Sequence, residues 1–341
     1  MLGLAIGDSL SWPAMFHRSV LLPPWTRRIV HDMNTSQEEA NVIAVPMPFS
    51  LNQPADLFDI APTDDTEWAA FTAKMLLSVN PGKLKNTIYE EWMNLARSPG
   101  TIRGGVSTQA ALRNLRTGIV PPQSGKENPH YFDDGAIPRS VPIGIFCVGQ
   151  PKLAAEFALL DASVTNSEDG IWAAQAMAVA ISLVCAGNDI DSAISEAVQF
   201  LPEDSWIRRT VDSTFSMLEG KNNVFSLLPD LHNKILNREY SYGNVAPETL
   251  AMTFVIAKFL GHDFERAVTT ASSFAKSADS LPALVGAFAG ALHTEPIAGD
   301  SWIRAVHTLR GICIPSLSGA NYIEIIDQLV EHVTGRTDRT P

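Results

Sequence analysis

The sequence is poor in cysteine, and its three cysteines lie far apart. Cys147, Cys185 and Cys313 stand among apolar residues, and no Cys-x-x-Cys pair occurs. An odd number of separated thiols argues against a disulfide framework, a thiolate zinc site or a dithiol redox centre. The start, MLGLAIGDSLSW, also lacks the basic region of a secretory signal. We therefore expect buried free thiols in a reducing compartment, with the cytoplasm as the predicted location.

Runs of basic residues and long apolar runs are missing as well. The chain has 25 Lys and Arg against 37 Asp and Glu, a formal net charge of −12, and its basic residues are at most paired. An acidic chain without a basic patch disfavours nucleic acid or an anionic membrane as a partner. The longest apolar run, residues 171–187, is Ala-rich and interrupted by polar residues. It predicts a buried helix and not a membrane span.

Alternating apolar and polar residues, the pattern of a half-buried strand, never extend far enough to predict a strand. Apolar residues recur at helical spacing instead, as Leu250, Phe254 and Ala257 do, and Gly261 is expected to end that helix as a left-handed C-cap. Similar patterns predict helices in ten further segments. These segments are 66–79, 105–116, 153–161, 170–186, 190–200, 206–219, 264–275, 281–293, 301–309 and 321–333.

The predicted fold is all-α, a single compact multi-helix domain. Small residues in LVGAFAGAL would let helix backbones approach closely in its core. Two long stretches rich in Pro, Asn, Asp and Gly, 18–62 and 117–143, are interpreted as loops with a functional role. No linker or internal repeat divides the chain. We expect one domain over residues 1–334, a disordered tail over 335–341, and a monomer.

The segment GLAIGDSLSW contains a Gly-Asp-Ser-Leu that can mark a serine esterase with Ser9 as the nucleophile. Such a serine needs a histidine that is itself oriented by a carboxylate, and these esterases supply the pair as Asp-x-x-His. None of the eight histidines has an aspartate three residues before it. The alternating strand and helix pattern of a parallel sheet is missing too, so the esterase hypothesis is disfavoured.

The segment FDIAPTDDTEW crowds Thr63, Asp64, Asp65 and Thr66 directly before an apolar helical run. At the first turn of a helix, an N-cap hydroxyl from Thr63 and both carboxylates gather around the positive end of the helix. Plain capping explains such residues with a stabilisation of about 1 kcal/mol or less. Capping therefore stays open beside a functional role.

A second acidic helix start lies late in the chain, in FAKSADSLPALVGAFAGAL. Asp279 and Ser280 stand directly before a helix of small residues that has Pro282 in its first turn. Two helix starts that each present a carboxylate beside a hydroxyl can converge on a hard cation. Oxygen donors without Cys or His at ligand spacing suit Mg²⁺ or Mn²⁺ better than Zn²⁺. One or two such ions are the predicted cofactors.

These residues carry a resemblance to the ADP-ribosylglycohydrolase family, over about residues 1 to 310. The resemblance implies an all-α fold in which two metal ions hold the ribose diol of an ADP-ribosyl group while water attacks C1″. It implies that Thr63, Asp64 and Asp65 form the first group of metal ligands and Asp279 with Ser280 the second. It also implies that Asp64 or Asp65 positions or deprotonates the water, and that the partner is an ADP-ribosylated protein or a small-molecule conjugate. Four segments carry this resemblance: GLAIGDSLSW, PTDDTEWAAF, GAIPRSVPIG and SADSLPALVGAFAGAL.

The chain departs from the family pattern mainly in the second acidic block. The family usually has Gly-Gly-Asp-x-Asp-Thr where this chain has AKSADS, so Ser277 stands at a metal-binding Asp and Ser280 at a Thr. With one carboxylate fewer, one cation is expected to bind more weakly or not at all. Trp12 replaces a small residue and Asn166 a histidine. These departures favour the alternative hypothesis of a non-catalytic or diverged ADP-ribose or nucleotide-binding member.

The remaining substrate-binding candidates each have a plain structural alternative. The Gly-rich turn SPGTIRGGVSTQ can cradle a diphosphate with its backbone N–H groups or be an ordinary loop. Two later aromatic residues can stack on adenine or lie buried, and the arginine of GAIPRSVPIG can contact substrate or tie loop carbonyls together. An aspartate expected at the end of the first helix would support the pocket from behind. In chain order, these residues are Asp8, Gly104, Gly105, Tyr131, Phe132 and Arg139.

Overall fold

The computed structural model describes residues 1–16, 60–78, 84–221, 223–236, 243–274, 276–293 and 297–337. The side chain of Trp12, most of the predicted loop 18–62 and the last residues of the predicted tail lie outside the described residues. The first residues of that predicted tail are helical, because the last helix extends to Thr337.

The described residues form sixteen α-helices and two single turns of 3-10 helix, Val224–Ser226 and Pro315–Leu317, and contain no strand. Only two isolated β-bridges occur in this part of the chain, one of which joins Asp133 to Val245. The predicted all-α fold is confirmed. In chain order, α1 to α16 span Leu2–Phe16, Asp64–Ser78, Leu84–Arg97, Val106–Arg116, Gln123–Lys126, Ile137–Phe146, Pro151–Ala162, Asp169–Cys185, Ile190–Val198, Trp206–Ser216, Leu228–Lys234, Ala246–Leu260, Phe264–Ser272, Leu281–Leu292, Asp300–Val306 and Tyr322–Thr337.

Each segment predicted to be helical overlaps an observed helix, but α3 and α11 were missed and the predicted loop 117–143 was wrong. That stretch contains α5 and the start of α6. Two prolines hide α6 in the sequence. Pro138 lies in its first turn, where its missing N–H costs nothing, but Pro142 lies inside the helix and removes the bond to the carbonyl of Pro138. The tertiary packing of α6 therefore outweighs the local preference against a helix at Pro142.

The predicted left-handed cap at Gly261 is also wrong, because the φ angle of this residue is −56°. Its N–H continues the helical pattern and donates to Ala257 O at 2.8 Å. The reason for a glycine is close packing: a Cβ there would lie 2.5 Å from Ala257 O and 2.6 Å from a methyl carbon of Leu292. The chain then turns directly into α13, with Asp263 as the N-cap.

Helices α1 and α14 pack with their backbones in contact, as the small residues of α14 predict. An added Cβ on Gly3 would lie 2.1 Å from Gly286 O, and one on Gly7 would lie 2.0 Å from Pro282 O. This approach sets the middle of α1 against the first turn of α14. Since Asp8 follows Gly7, the close packing brings a carboxylate of α1 beside the second acidic helix start.

Helices α1, α2, α6, α8, α12 and α14 each contribute to both of the larger clusters of buried apolar residues. The largest buried side chains include Trp92, Phe254 and Phe288, and the last two pack edge to face with ring centroids 5.8 Å apart. Within the described residues, no helix is both long and apolar enough to cross a membrane.

We expect Gly7→Ala to lower the free energy of unfolding by about 3 kcal/mol, because the new methyl group would overlap the backbone of α14. The matched control is Gly290→Ala on α14, where the nearest atom is 3.4 Å away and removal of a helix-interior glycine gains about 0.5 to 1 kcal/mol. Urea denaturation of both variants measures the difference. Equal stability of the two would show that α1 does not need this close contact.

Candidate functional site

A cavity of about 330 Å³ lies where the first turns of α2, α4, α6 and α14 meet. Five carboxylates line it, from Asp64, Asp65, Asp133, Asp134 and Asp279, together with the hydroxyl-bearing residues Thr108 and Ser280. The rest of the wall includes Trp68, Arg103, Gly104, Gly105, His130, Asn244, Ile312 and Cys313. The structure thus brings together the two acidic helix starts that the sequence singled out. The described residues also enclose a larger, mainly apolar cavity of about 430 Å³, which offers little to a polar sugar.

The first turn of α2 is capped by Asp8, a fully buried residue of α1. The Asp8 carboxylate accepts the backbone N–H of Thr63 at 2.7 Å and of Thr66 at 3.2 Å, together with both threonine hydroxyls. The predicted position of Asp8 at the end of α1 is wrong, because that helix continues to Phe16. Its carboxylate lies behind the cavity wall, and the Thr63 hydroxyl is turned towards it.

Capping by Asp8 decides what Asp64 and Asp65 can do. A carboxylate that already satisfies the first N–H groups of α2 leaves the two following aspartates free of that role, so both line the cavity. Asp64 is half-buried, whereas Asp65 is only 6% exposed. The plain capping interpretation of this pair therefore fails for Asp65.

The carboxylate of Asp65 has a buried oxygen, Oδ2, with no hydrogen-bond partner. Burial raises the pKa of Asp65 well above its ordinary value, and the nearby carboxylates of Asp64, Asp8, Asp279 and Asp134 raise this pKa further. A buried oxygen without a partner is costly, and it is rare in folded proteins unless a ligand or an ion completes it. Asp65 thus points to a bound cation or a polar substrate group.

Of the three candidate metal ligands at the start of α14, two line the cavity. Asp279 and Ser280 line the wall, whereas Ser277 is not among the lining residues. Ser277 is 1% exposed, and its N–H donates to Phe274 O at 3.0 Å in the turn before the helix. The position that departs from the expected acidic pattern therefore lies behind the cavity wall.

Two lining carboxylates, Asp133 and Asp134, were missed from the sequence. Asp133 accepts an N–H of Asn166 at 2.9 Å, the backbone N–H of Gly135 at 3.2 Å and the backbone N–H of Ser107 in the first turn of α4. Asp134 accepts the hydroxyl of Thr249 at 2.8 Å. An acidic pair before a helix is the same signal as in the Thr-Asp-Asp-Thr block, but the stretch was interpreted as a loop.

Asp133 changes the interpretation of the Gly-rich turn. Gly104 and Gly105 do line the cavity, but the positive end of α4 already faces the Asp133 carboxylate, which would lie 3.4 Å from a Cβ on Gly105. The protein's own anion takes part of the N–H set that was expected to cradle a diphosphate. Arg103, beside these glycines, is a lining residue that the sequence interpretation missed.

Arg139 is buried behind the site, and its contacts are those of a structural residue. Its guanidinium donates to Asp161 at 2.8 Å, to Gly135 O at 2.8 Å and to the Thr165 hydroxyl at 2.7 Å, and it stacks 5.0 Å from the Trp92 ring centroid. A substrate contact is incompatible with this burial. Arg139 instead fixes the turn that carries the acidic pair.

Neither Tyr131 nor Phe132 lines the cavity, so the structure does not support either as an adenine platform. Phe132 stacks on His130 with centroids 6.3 Å apart and contacts Trp206 at 6.1 Å, and His130 is the residue of this group that reaches the wall. Ser9, the esterase candidate, donates its hydroxyl to Ala5 O at 2.7 Å within α1. Ser9 is fully buried there.

Glu67 holds the wall opposite the acidic pair in place. Its fully buried carboxylate accepts three consecutive backbone N–H groups, from Ile312 and Cys313 at 2.8 Å and from Ile314 at 2.9 Å. The loop is also tied to the Gly-rich turn, since Arg103 N donates to Cys313 O at 2.9 Å. One side chain in α2 therefore fixes a cavity wall that is remote in sequence.

The donor set of the cavity fits a hard divalent cation. In the described part of the chain, no group of three or more His, Cys, Asp or Glu side chains is placed to hold a metal ion alone. Mg²⁺ seldom needs such a group, because it usually takes one or two carboxylates and keeps several waters. The unpartnered oxygen of Asp65 and the neighbouring oxygen donors suit that mode of binding.

Comparisons with known proteins give a family model, an archaeal relative and a solved structure that match most of the chain. The model of the ADP-ribosylglycohydrolase family matches residues 1–339. An uncharacterized protein of Archaeoglobus fulgidus is 26% identical over 307 residues, which are 85% of each chain. A solved structure titled ADP-ribosylglycohydrolase-related protein complex has a TM-score of 0.59 and 20% identity, and the match covers 98% of this chain and 95% of that one. At this identity the solved structure shows likeness of fold alone.

We expect Glu67→Gln to lower the free energy of unfolding by about 2 to 4 kcal/mol, since an amide has one acceptor oxygen for three buried donors. Hydrogen exchange at the amides of Ile312, Cys313 and Ile314 should accelerate with it. Glu90→Gln, an exposed residue of α3, is the control and should change stability by less than about 0.5 kcal/mol. Unchanged exchange in the loop would contradict the assigned role of Glu67.

Without divalent cations, the protein should become less stable as the pH rises from about 4 to 7. Burial, and then the neighbouring Asp64, raises the pKa of Asp8 to about 7, and burial, and then Asp133, raises the pKa of Asp134 to about 7. The same groups lose their protons near pH 4 in the unfolded chain. The folded state therefore binds more protons in this window, and stability is lost as the pH approaches 7.

Urea denaturation in the presence of a chelator at pH 5 and pH 7.5 measures this effect, which should be about 1 to 4 kcal/mol in favour of pH 5. Asp8→Asn should flatten the dependence, because it removes one of the titrating groups. A stability that rises with pH over this window would contradict the assignment.

Proposed function

This chain belongs to the ADP-ribosylglycohydrolase family, and we propose that it hydrolyses the glycosidic bond of an ADP-ribosyl or related ribosyl conjugate in the acidic cavity. The observation that carries the proposal is the buried, unpartnered Oδ2 of Asp65 in a cavity of hard oxygen donors. We propose an ADP-ribosylated protein or a small-molecule ADP-ribosyl conjugate as the substrate.

Carboxylates of Asp64, Asp65 and Asp279, with the Ser280 hydroxyl, would hold Mg²⁺ or Mn²⁺. When bound, such an ion supplies positive charge that fixes the ribose diol and offsets charge developing in the transition state. The protein contributes the fixed positions of these oxygens: two follow a helix end capped by Asp8, and two lie at the start of α14.

The proposed reaction balances as a simple hydrolysis. Water forms a bond to C1″ of the ribose, and the bond from C1″ to the acceptor atom breaks, with its electron pair leaving on the acceptor. Asp64 or Asp65 orients the water and accepts a proton from it, and a proton passes to the acceptor as it departs. The products are free ADP-ribose and the unmodified acceptor.

The second candidate function is binding of ADP-ribose or a nucleotide without turnover. The position of Ser277 favours the binding function. A serine replaces the expected metal-binding aspartate at this position, and Ser277 does not line the cavity. The buried Asn166 favours it too, since its amide is bound to Asp133 and so supports the turn from behind. The two functions differ in one measurable respect, which is whether ADP-ribose is released.

We expect the purified protein with Mn²⁺ to release ADP-ribose from at least one member of a panel of arginine- and serine-linked ADP-ribosyl peptides. Mass spectrometry of the peptides measures this release. Asp65→Asn should reduce the rate by at least about 100-fold, because it removes a carboxylate that acts on the reacting water, and Asp64→Ala should act in the same direction. Both variants should remain folded.

The control is Asp212→Asn, an aspartate 54% exposed in an i,i+4 ion pair on α10, which should keep the wild-type rate. Release that persists in both Asp64→Ala and Asp65→Asn would return these residues to a structural role. ADP-ribose binding without release from any conjugate would select the binding function.

A further inference from the structure

The second acidic helix start lacks a carboxylate at Ser277, but the same cavity receives one from a different part of the fold. Asp134 lies in the turn before α6 and lines the wall together with Asp279 and Ser280 of the α14 start. The hydroxyl of Ser280 lies beside the Asp134 carboxylate and lowers its pKa. Asp134 therefore stands against the helix start that is short of one charge.

The Asp134 carboxylate is held in a fixed position. It is 7% exposed and accepts the Thr249 hydroxyl of α12 at 2.8 Å. Its own carbonyl accepts the Ile137 N–H at 2.8 Å, and the adjacent Asp133 is bridged to Val245. A carboxylate bonded to a threonine of α12, on a backbone bonded to the start of α6, is well ordered for binding, because little side-chain freedom remains to be lost.

A second observation, independent of Asp134, points to a ligand in the same place. The unpartnered Oδ2 of Asp65 is buried, and Asp65 lines this cavity together with Asp134. Two buried like charges without a counter-ion are unfavourable, and a bound cation reverses their mutual effect. Mg²⁺ commonly takes one or two protein carboxylates, so this pair suffices.

We propose that Asp134 supplies the cation-binding carboxylate that Ser277 lacks, so that a divalent cation is held between Asp65 and Asp134 next to Ser280. The proposal rests on the proposed function, since it concerns the same cavity. It changes what the departure at Ser277 means: the site keeps its count of carboxylates, and the charge comes from the α6 turn instead of the α14 turn.

Titration of metal-free protein with Mn²⁺, followed by calorimetry and by the electron paramagnetic resonance signal of free Mn²⁺, tests the proposal without an activity assay. Asp134→Asn keeps the shape of the side chain and removes its charge. It should weaken Mn²⁺ binding by about 10- to 100-fold or more, the range seen for groups that support a metal site. Asp212→Asn, remote and exposed, should bind as the wild type does.

A thermal melt separates loss of a ligand from loss of the fold. Without metal, Asp134→Asn should melt at or above the wild-type temperature, because one of two adjacent buried carboxylates is gone. With saturating Mn²⁺, the wild type should gain more than this variant does. A folded Asp134→Asn with wild-type Mn²⁺ affinity would overturn the role of Asp134 alone. Absence of Mn²⁺ binding by the wild type would overturn the cation site itself and, with it, the proposed function.

Discussion

The buried carboxylate of Asp8 is the interaction on which the candidate site depends. Helix α1 places it at the N-terminus of α2, where it accepts two backbone N–H groups and two threonine hydroxyls. Because those donors are satisfied from another helix, Asp64 and Asp65 need not cap α2 and can face the cavity. Asp8 reaches this position only because α1 lies backbone to backbone against α14, at Gly3 and Gly7. The close helix contact and the orientation of the acidic pair are thus one feature.

The carboxylates around the cavity differ in how far their charge is compensated. Behind the wall, Asp161 pairs with Arg139, and Glu67 accepts three backbone N–H groups. On the wall, Asp65 and Asp134 are buried near other carboxylates, and burial raises the pKa of each. Asp8 lies behind the wall and accepts four hydrogen bonds, but burial still raises its pKa to about 7. The unpartnered Oδ2 of Asp65, more than a raised pKa, therefore marks the group that a ligand can complete.

The effect of Ser277 on cation binding depends on every carboxylate that lines the cavity, and not on its own motif alone. Ser277 in place of an acidic residue suggests a weakened site when the second motif is considered alone. In the fold, the charge of the cavity is the sum of contributions from α2, α14 and the turn before α6, and the last of these carries Asp133 and Asp134. Asp133 lies beside the N-terminus of α4, whereas Asp134 lines the cavity together with Asp279 and Ser280 at the start of α14. The missing carboxylate at Ser277 and the carboxylate of Asp134 are distant in sequence, but the turns that carry them meet at the same cavity.

The sequence by itself determined the helical fold, the two acidic helix starts and the family, because helical periodicity and short motifs are local signals. It also predicted close helix packing from the small residues of α14. It could not determine that Asp8 caps α2, that Glu67 holds the loop at Cys313, that Arg139 is buried or that Asp134 lines the cavity. The contacts of Asp8 and Glu67 join residues 55 to 247 positions apart, and packing alone sets such separations. Which carboxylates were satisfied and which faced the cavity was therefore decided by the tertiary structure.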